Sequence, residues 1–496
     1  MGLKETHTDE LVFALCGPIG SSLQAVTSTL EKLLRDQFDY EVKVVRLSEI
    51  IEQLDGSPVP KGAFARVSHL IERGNLLRQR FGPSILADVA IREIAVRREE
   101  RKLPGDPAGV YRPARVCHIV DSIKNEAELE ALRLVYRDML HCIGVFSPMP
   151  HREQHLKAKG MDLSEIYKLI DQDSGEEFSH GQTVRKTFPK ADYFLRAPLN
   201  GSNAVEARML RYLNLVFSTA VITPTTAETA MYQAASASRN SACLSRQVGA
   251  SIVDQNGLLL AIGWNDVPRF QGGLYVTRAE DVPPGLEDHR CANWGGKCYN
   301  DAEKSLIAAE ATEALAKAGL LVGDRDAAIK TILESKVGRL IEFSRAIHAE
   351  MHAILSASHS AGARLKGASL YCTTYPCHYC ARHIVAAGII SVYYIQPYGK
   401  SLAGKLHHDS ISEAEGTQNR VTILPYDGVA PSKYLELFAM PTDERKDKGG
   451  VLKSRNPRDA RPKSEVTLES LPALEGLVVT RLKNQNLLSS DEGGAA

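Results

Sequence analysis

The 496-residue chain has no excess of charge of either sign, because 60 lysines and arginines offset 60 aspartates and glutamates. No strong cationic field results, which argues against a long polynucleotide as substrate; a small anionic substrate needs only a local basic pocket. No apolar run approaches the ~20 residues that span a bilayer, so no membrane segment is expected. The polar, charged start of the chain does not read as a signal peptide. The nine cysteines are odd in number and follow no framework spacing. That excludes a disulfide scaffold and fits reduced thiols in a cytoplasmic protein. No internal repeat is present. The length exceeds one ordinary domain and allows two or three.

One constellation carries chemistry. His348-Ala349-Glu350 is followed downstream by Pro376-Cys377-His378-Tyr379-Cys380. The order and spacing are those of zinc enzymes that deaminate nucleobases. One neutral imidazole and two thiolates from His348, Cys377 and Cys380 give Zn²⁺ three protein ligands and leave a fourth position for water. A zinc ion so held lowers the pKa of its water from about 15.7 to about 7. Glu350 lies too close to His348 in sequence to be a comfortable extra ligand, and is expected to carry protons as the catalytic acid and base. A lone C-x-x-C reads equally as a redox pair or half a structural zinc site, and a lone H-x-E as helix surface. Their co-occurrence selects the catalytic reading.

The flanking pattern agrees. Leu340 to Ser356 is expected to be a helix bearing His348 and Glu350, with Ile341, Ile347, Met351, Ile354 and Leu355 at helical spacing. Ala368 to Tyr375 reads as a strand. Cys377 and Cys380 then open a helix whose N-terminus favours their anionic forms, and Ile389 to Ile395 reads as the next strand.

The first half alternates strands and helices, which implies a mostly parallel α/β sheet. Strands are expected at Leu11 to Leu15, Val42 to Leu47, Arg115 to Asp121 and Cys142 to Phe146, with helices between. The first strand runs into Cys16-Gly17-Pro18-Ile19-Gly20-Ser21-Ser22, where phosphate-binding loops sit. Gly17, Gly20, Ser21 and Ser22 are candidate nucleotide-binding residues, and Asp121, at a strand end, is a candidate holder of Mg²⁺. The lysine of an intact phosphate loop is missing, so binding is expected rather than phosphoryl transfer.

Asp171 to Glu177 reads as a polar loop, and Thr223-Pro224-Thr225-Thr226 marks a boundary. Beyond it a helix from Ala227 to Arg239 precedes two strands, Val248 to Val253 and Leu258 to Gly263, flanking the turn signal Asp254-Gln255-Asn256-Gly257. Three domains follow: residues 1–222, 223–441 and 442–496. Pro268 to Asn300 is irregular and long enough to be a functional loop or lid. Its Cys291 and Cys298, near His289, are read as free cysteines, with a second zinc as the alternative. The basic stretch Thr442 to Ser464 reads as a solvated connector, with a nucleic-acid contact as the alternative. Leu468 to Leu488 is amphipathic and expected to dock on the body.

Residues 227–400 resemble the deoxycytidylate deaminase branch of the cytidine-deaminase superfamily. Ser245-Arg246-Gln247-Val248-Gly249-Ala250 is similar to its opening strand, and Gly263-Trp264-Asn265 to its G-[YW]-N segment. The resemblance implies that Asn265, and with it Arg246, binds the nucleotide substrate. More fully, the chain resembles bacterial anti-phage dCTP deaminases, on Gly17-Pro18-Ile19-Gly20, Ile119 to Lys124, Ile341 to Arg345 and Tyr371 to Thr374. That family implies a P-loop kinase-like parallel sheet followed by a three-layer α/β/α deaminase domain. It also implies deamination of dCTP or dCMP, one zinc per chain, a regulatory nucleotide or small RNA, and a homo-oligomer. Two other readings stay open: a deaminase acting on a base within nucleic acid, and a nucleotide- or RNA-sensing protein with a silent deaminase fold.

Overall fold

A computed structural model describes residues 7–102, 111–174, 184–197, 202–277, 288–398, 401–453 and 455–487. It divides into two compact units, Met1–Pro224 with Asp427–Ala496, and Thr225–Tyr426. The architecture is mixed α/β, with one predominantly parallel sheet in each unit. Among the described residues no helix is long and apolar enough to cross a membrane.

In the first unit five parallel strands, β1 (Leu11–Cys16), β2 (Glu41–Arg46), β3 (Val116–Ile123), β4 (Leu140–Phe146) and β5 (Tyr193–Arg196), lie in the order β5-β4-β1-β3-β2. A short strand, Gly428–Val429, pairs antiparallel with β5. Every residue of β1 is buried, as a central parallel strand requires. Edge strand β2 instead buries Val42 and Val45 and exposes Glu41, Lys43 and Arg46. Helix Leu23–Phe38 presents Val26, Leu30, Leu33, Leu34 and Phe38 to the core at helical spacing.

The sequence placed a separate segment at 442–496; the described residues 427–453 and 455–487 group with the first unit. Helix Leu471–Asn484 lies on helices Ile85–Glu100 and Glu126–Tyr136. Its buried Glu475 accepts from the Tyr136 hydroxyl at 3.0 Å and pairs with buried Arg98, which also holds Glu10 at 2.5 Å. Such charges keep their places only when paired, so this helix completes the unit. Helix Leu163–Ser174 takes in Asp171, where a loop was expected; 175–177 lie outside the described residues.

In the second unit, β6 (Gly249–Val253) and β7 (Leu259–Trp264) form the expected hairpin. They join β8 (Ser369–Thr374), β9 (Ser391–Gln396), β10 (Ile411–Ser412) and β11 (Val421–Pro425) in the order β10-β11-β9-β8-β6-β7. Helices cover both faces, and two glycines show how. A Cβ on Gly249 overlaps the carbonyl oxygen of Ala234, in helix Thr226–Ser238. A Cβ on Gly263 overlaps the carbonyl of Ala349 and lies 2.5 Å from the Ala353 nitrogen, in helix Ala349–Leu365. Gly263 pairs with Ala250, the neighbour of Gly249. Paired residues share a face and successive residues alternate, so the two helices lie on opposite faces of one sheet.

Gly263 therefore sets the seat of helix Ala349–Leu365. Gly263→Ala is expected to cost about 1–3 kcal/mol, the usual range for overpacking, and to displace the start of that helix. A lower Tm together with weaker zinc retention checks this; an unchanged Tm contradicts it.

Candidate active site and metal centre

The helix that the sequence placed from Leu340 begins only at Ala349, with His348 at its N-cap in extended conformation. Residues 340–347 are non-helical and tied down by neighbours, with Ile347 bridged to Asp266. Asn300 donates to the Leu340 carbonyl at 3.0 Å and accepts from the Phe343 amide at 3.2 Å, and the Ile347 amide donates to Asp266 at 2.9 Å. The apolar spacing of Ile341 and Ile347 therefore belongs to a strapped loop. The consequence is local: His348 stands at the helix start and Glu350 in its first turn, where an N-terminal dipole favours negative charge.

Cys377 is the N-cap of helix His378–Ala386 and accepts from the Cys380 amide at 3.4 Å. Pro376 precedes it, and its carbonyl accepts from the Ser401 hydroxyl at 2.8 Å. Two helix starts thus bring their side chains together. His348 Nδ1 lies 3.3 Å from Cys377 Sγ and 3.4 Å from Cys380 Sγ. The three ligand atoms lie within 4.8 Å of one another.

The donor set fits zinc. Zn–N of about 2.0–2.1 Å and Zn–S of about 2.3 Å at a tetrahedral angle separate N from S by roughly 3.5 Å, close to both observed distances. Electrostatics show how tightly the groups interact. The hydrogen bond with Cys380 is the main cause holding the Cys377 thiol low, with His348 adding to it, while the same bond and burial push Cys380 up. Burial opposes charge on His348, but its bond to Cys377 and the nearby Glu350 outweigh it and raise the imidazole to about 9. Burial lifts the Glu350 carboxyl to about 7, against the pull of His348. A dication bound by His348, Cys377 and Cys380 would take the place of these shared protons.

His348, Glu350 and Cys377 line one cavity of about 240 Å³ with Arg246, Asn265, Lys304, Arg339, Thr374 and Tyr398 among its walls. Asn265 is buried; its side-chain oxygen accepts from the Val248 amide at 2.7 Å and its NH₂ donates to the Arg246 carbonyl at 2.9 Å. It therefore locks the segment that carries Arg246, keeping one donor and one acceptor position free for a ligand. Arg246 is exposed, with its guanidinium 5.5 Å from the Tyr398 ring.

The sequence did not mark Lys304 or Arg339. They come from an insertion between the hairpin and His348 that contains helices Tyr299–Lys317 and Arg325–Glu334. Helix Tyr299–Lys317 buries only Ala308 and Thr312, so it shows no apolar stripe to reveal it. Among the described residues Cys291, Cys298 and His289 form no metal-ligating group, and both cysteines are free.

In the first unit, Gly17, Gly20, Ser21 and Ser22 form the turn from β1 to helix Leu23–Phe38, and Asp121 lies near the end of adjacent β3. Thr27 donates to Asp121 at 3.2 Å, and burial raises that carboxyl. Lys124 reaches the Gly17 carbonyl at 2.7 Å and Asp173 at 3.0 Å; Asp173 also accepts from the Ile19 amide at 2.5 Å. The fold thus brings the five predicted residues to one end of the sheet, with a lysine, Lys124, arriving from the residue just after β3 rather than from the loop.

Three potential metal ligands thus meet beside a buried carboxylate that lines the same cavity. Residues 224–396 match the model of the family described as "Cytidine and deoxycytidylate deaminase zinc-binding region". The chain is 27% identical to the deoxycytidylate deaminase of Enterobacteria phage T2 over 170 residues, 34% of this chain and 78% of that protein. The phage T4 enzyme is 26% identical over 170 residues, covering 34% and 76%. Over 55 residues the chain is 49% identical to ComE operon protein 2 of Bacillus subtilis (strain 168), 11% of this chain and 29% of that protein. A dCMP deaminase crystal structure from cyanophage S-TIM5 aligns at 20% identity with a TM-score of 0.22, covering 41% of this chain and 99% of that one. The chain carries a cytidine/deoxycytidylate deaminase domain.

Proposed function

We propose that the protein is a zinc-dependent hydrolase that converts deoxycytidine nucleotides, dCTP and dCMP, to deoxyuridine nucleotides and ammonia. The observation that carries this reading is the meeting of His348 Nδ1, Cys377 Sγ and Cys380 Sγ, with buried Glu350 lining the same pocket. Phage relatives named for deoxycytidylate deamination support the monophosphate; resemblance to anti-phage dCTP deaminases supports the triphosphate.

Zinc, when bound, supplies the Lewis acidity that makes water nucleophilic near neutral pH. His348, Cys377 and Cys380 would hold it. Glu350 moves two protons. It takes one from the attacking water to ring nitrogen N3, and another to the amino group, which leaves as ammonia while the water oxygen becomes the 4-oxo group. Asn265, with Arg246 beside it, orients the nucleotide. Asn265→Ala is expected to raise KM about tenfold, since a lost neutral hydrogen bond costs ~0.5–1.5 kcal/mol and two part-buried backbone groups also lose their partner. Steady-state kinetics together with a Tm decide it: unchanged KM for every deoxynucleotide removes Asn265 from the site.

The first unit is read as a P-loop kinase-like domain that binds a nucleotide with Mg²⁺ through Gly17, Gly20, Ser21, Ser22 and Asp121. It regulates rather than phosphorylates, in a cytoplasmic homo-oligomer answering to a nucleotide or small RNA. Lowering the dCTP pool starves phage DNA synthesis.

The test is a substrate panel on the zinc-loaded full chain: dCTP, dCMP, CTP and single-stranded oligonucleotides, with products identified by mass. Deoxyuridine nucleotides and equimolar ammonia are expected. Turnover confined to oligonucleotides replaces this reading with a nucleic-acid deaminase; no turnover at full zinc loading points to a silent fold.

A further inference from the structure

The cavity that holds Glu350 is not electrically neutral at its rim. Its lining includes Arg246, Lys304 and Arg339 as cations and Asp301 and Glu350 as anions. Lys304 pairs with Asp301 at 2.6 Å and also donates to the Gly338 carbonyl at 3.3 Å, so this ammonium is spent on holding the insertion together. Glu350 is buried beside the metal ligands. Two exposed guanidiniums are left, Arg246 from the segment before β6 and Arg339 from the short 3-10 turn Lys336–Arg339. Each comes from a backbone held firmly in place. Asn265 fixes the Arg246 carbonyl at 2.9 Å, and Asn300 fixes the Leu340 carbonyl, next to Arg339, at 3.0 Å.

We infer that Arg246 and Arg339 form a clamp for the phosphate chain of the substrate nucleotide, and that Arg339 makes the enzyme prefer a polyphosphate over a monophosphate or an unphosphorylated nucleoside. The inference rests on the deaminase reading above for the position of the base, but the clamp is a separate claim about charge. Guanidinium forks match phosphate oxygens two at a time. A pyrimidine ring directed at the metal ligands leaves its 5′ substituent to the remaining walls of the cavity. A neutral nucleoside gains nothing from two free cations there, whereas each added phosphate does. The insertion 299–339 thereby acquires a role: it delivers a charged residue to the rim that the hairpin and the metal helices do not supply.

Two measurements test the clamp. The first is steady-state kinetics of the zinc-loaded full chain and its R339A variant on deoxycytidine, dCMP and dCTP. KM for dCTP is expected to rise about tenfold or more, as for one lost charge-assisted contact, with kcat within about twofold. The loss should shrink in the order dCTP, dCMP, deoxycytidine, and R339K should recover part of it. The second measures binding of the same three ligands to E350Q and to E350Q/R339A by calorimetry at two salt concentrations. The double variant should bind dCTP about tenfold more weakly and with a shallower salt dependence. Equal losses for nucleoside and triphosphate, or no loss, overturn the clamp. If the chain with Glu350 intact deaminates none of the three while dCTP binding still depends on Arg339, the clamp stands and the deaminase reading fails.

Discussion

Glu350→Gln is expected to leave zinc content and Tm almost unchanged while lowering kcat by at least about 10²–10⁴-fold, the span that one general acid–base group contributes. The substitution keeps the shape of the side chain, so the close packing around this buried residue survives. What it removes is the ability to accept a proton and return it. The loss should fall at the upper end of that span, because the same carboxyl serves both the ring nitrogen and the departing amine. Metal analysis, thermal unfolding and single-turnover rates on one preparation separate the roles. A glutamine variant that keeps its zinc and turns over at near-normal rate excludes Glu350 as the proton carrier.

The second large effect is expected from the thiols. Cys377→Ala with Cys380→Ala should drop zinc from about one equivalent to none and abolish turnover. Two of three protein ligands vanish, leaving His348 Nδ1 alone. The fold around them should soften as well. Both thiols are buried in the core cluster that contains Ala353, Cys372 and Ile384, and removing each leaves a small void. Zinc-bound wild type should therefore unfold at a higher temperature than the metal-stripped protein, by mass action on the native state, and the double variant should show no response to added zinc. Zinc retention at one equivalent in the double variant contradicts the ligand set.

The site was legible where the chemistry dictates spacing. The sequence singled out His348, Glu350, Cys377 and Cys380 by type and spacing, and the fold brings His348, Cys377 and Cys380 within 4.8 Å of one another, with Glu350 lining the same cavity. The hairpin announced itself through Asp254-Gln255-Asn256-Gly257 between two apolar runs. Asn265 was singled out through its resemblance and lines the cavity, but its hydrogen bonds to Val248 and Arg246 were not foreseen, since no local pattern encodes contacts across 17 and 19 residues. The start of the helix after His348 was placed too early: Ile341 and Ile347 keep helical spacing, yet Asn300 and Asp266 hold that stretch out of the helix. Arg339 and Lys304 escaped because their insertion buries little and so carries no periodic stripe. The docking of helix Leu471–Asn484 was expected, but its tie to Arg98 through Glu475 was hidden by separation along the chain.

The most direct test of the central claim is deamination in ¹⁸O-labelled water by the full chain carrying one equivalent of zinc. dCTP and dCMP are expected to yield deoxyuridine nucleotides bearing one ¹⁸O at the 4-oxo position, with one ammonia per product and none from the Glu350→Gln variant. Absence of ammonia from every cytosine nucleotide at full zinc loading, or a product without the label, contradicts it.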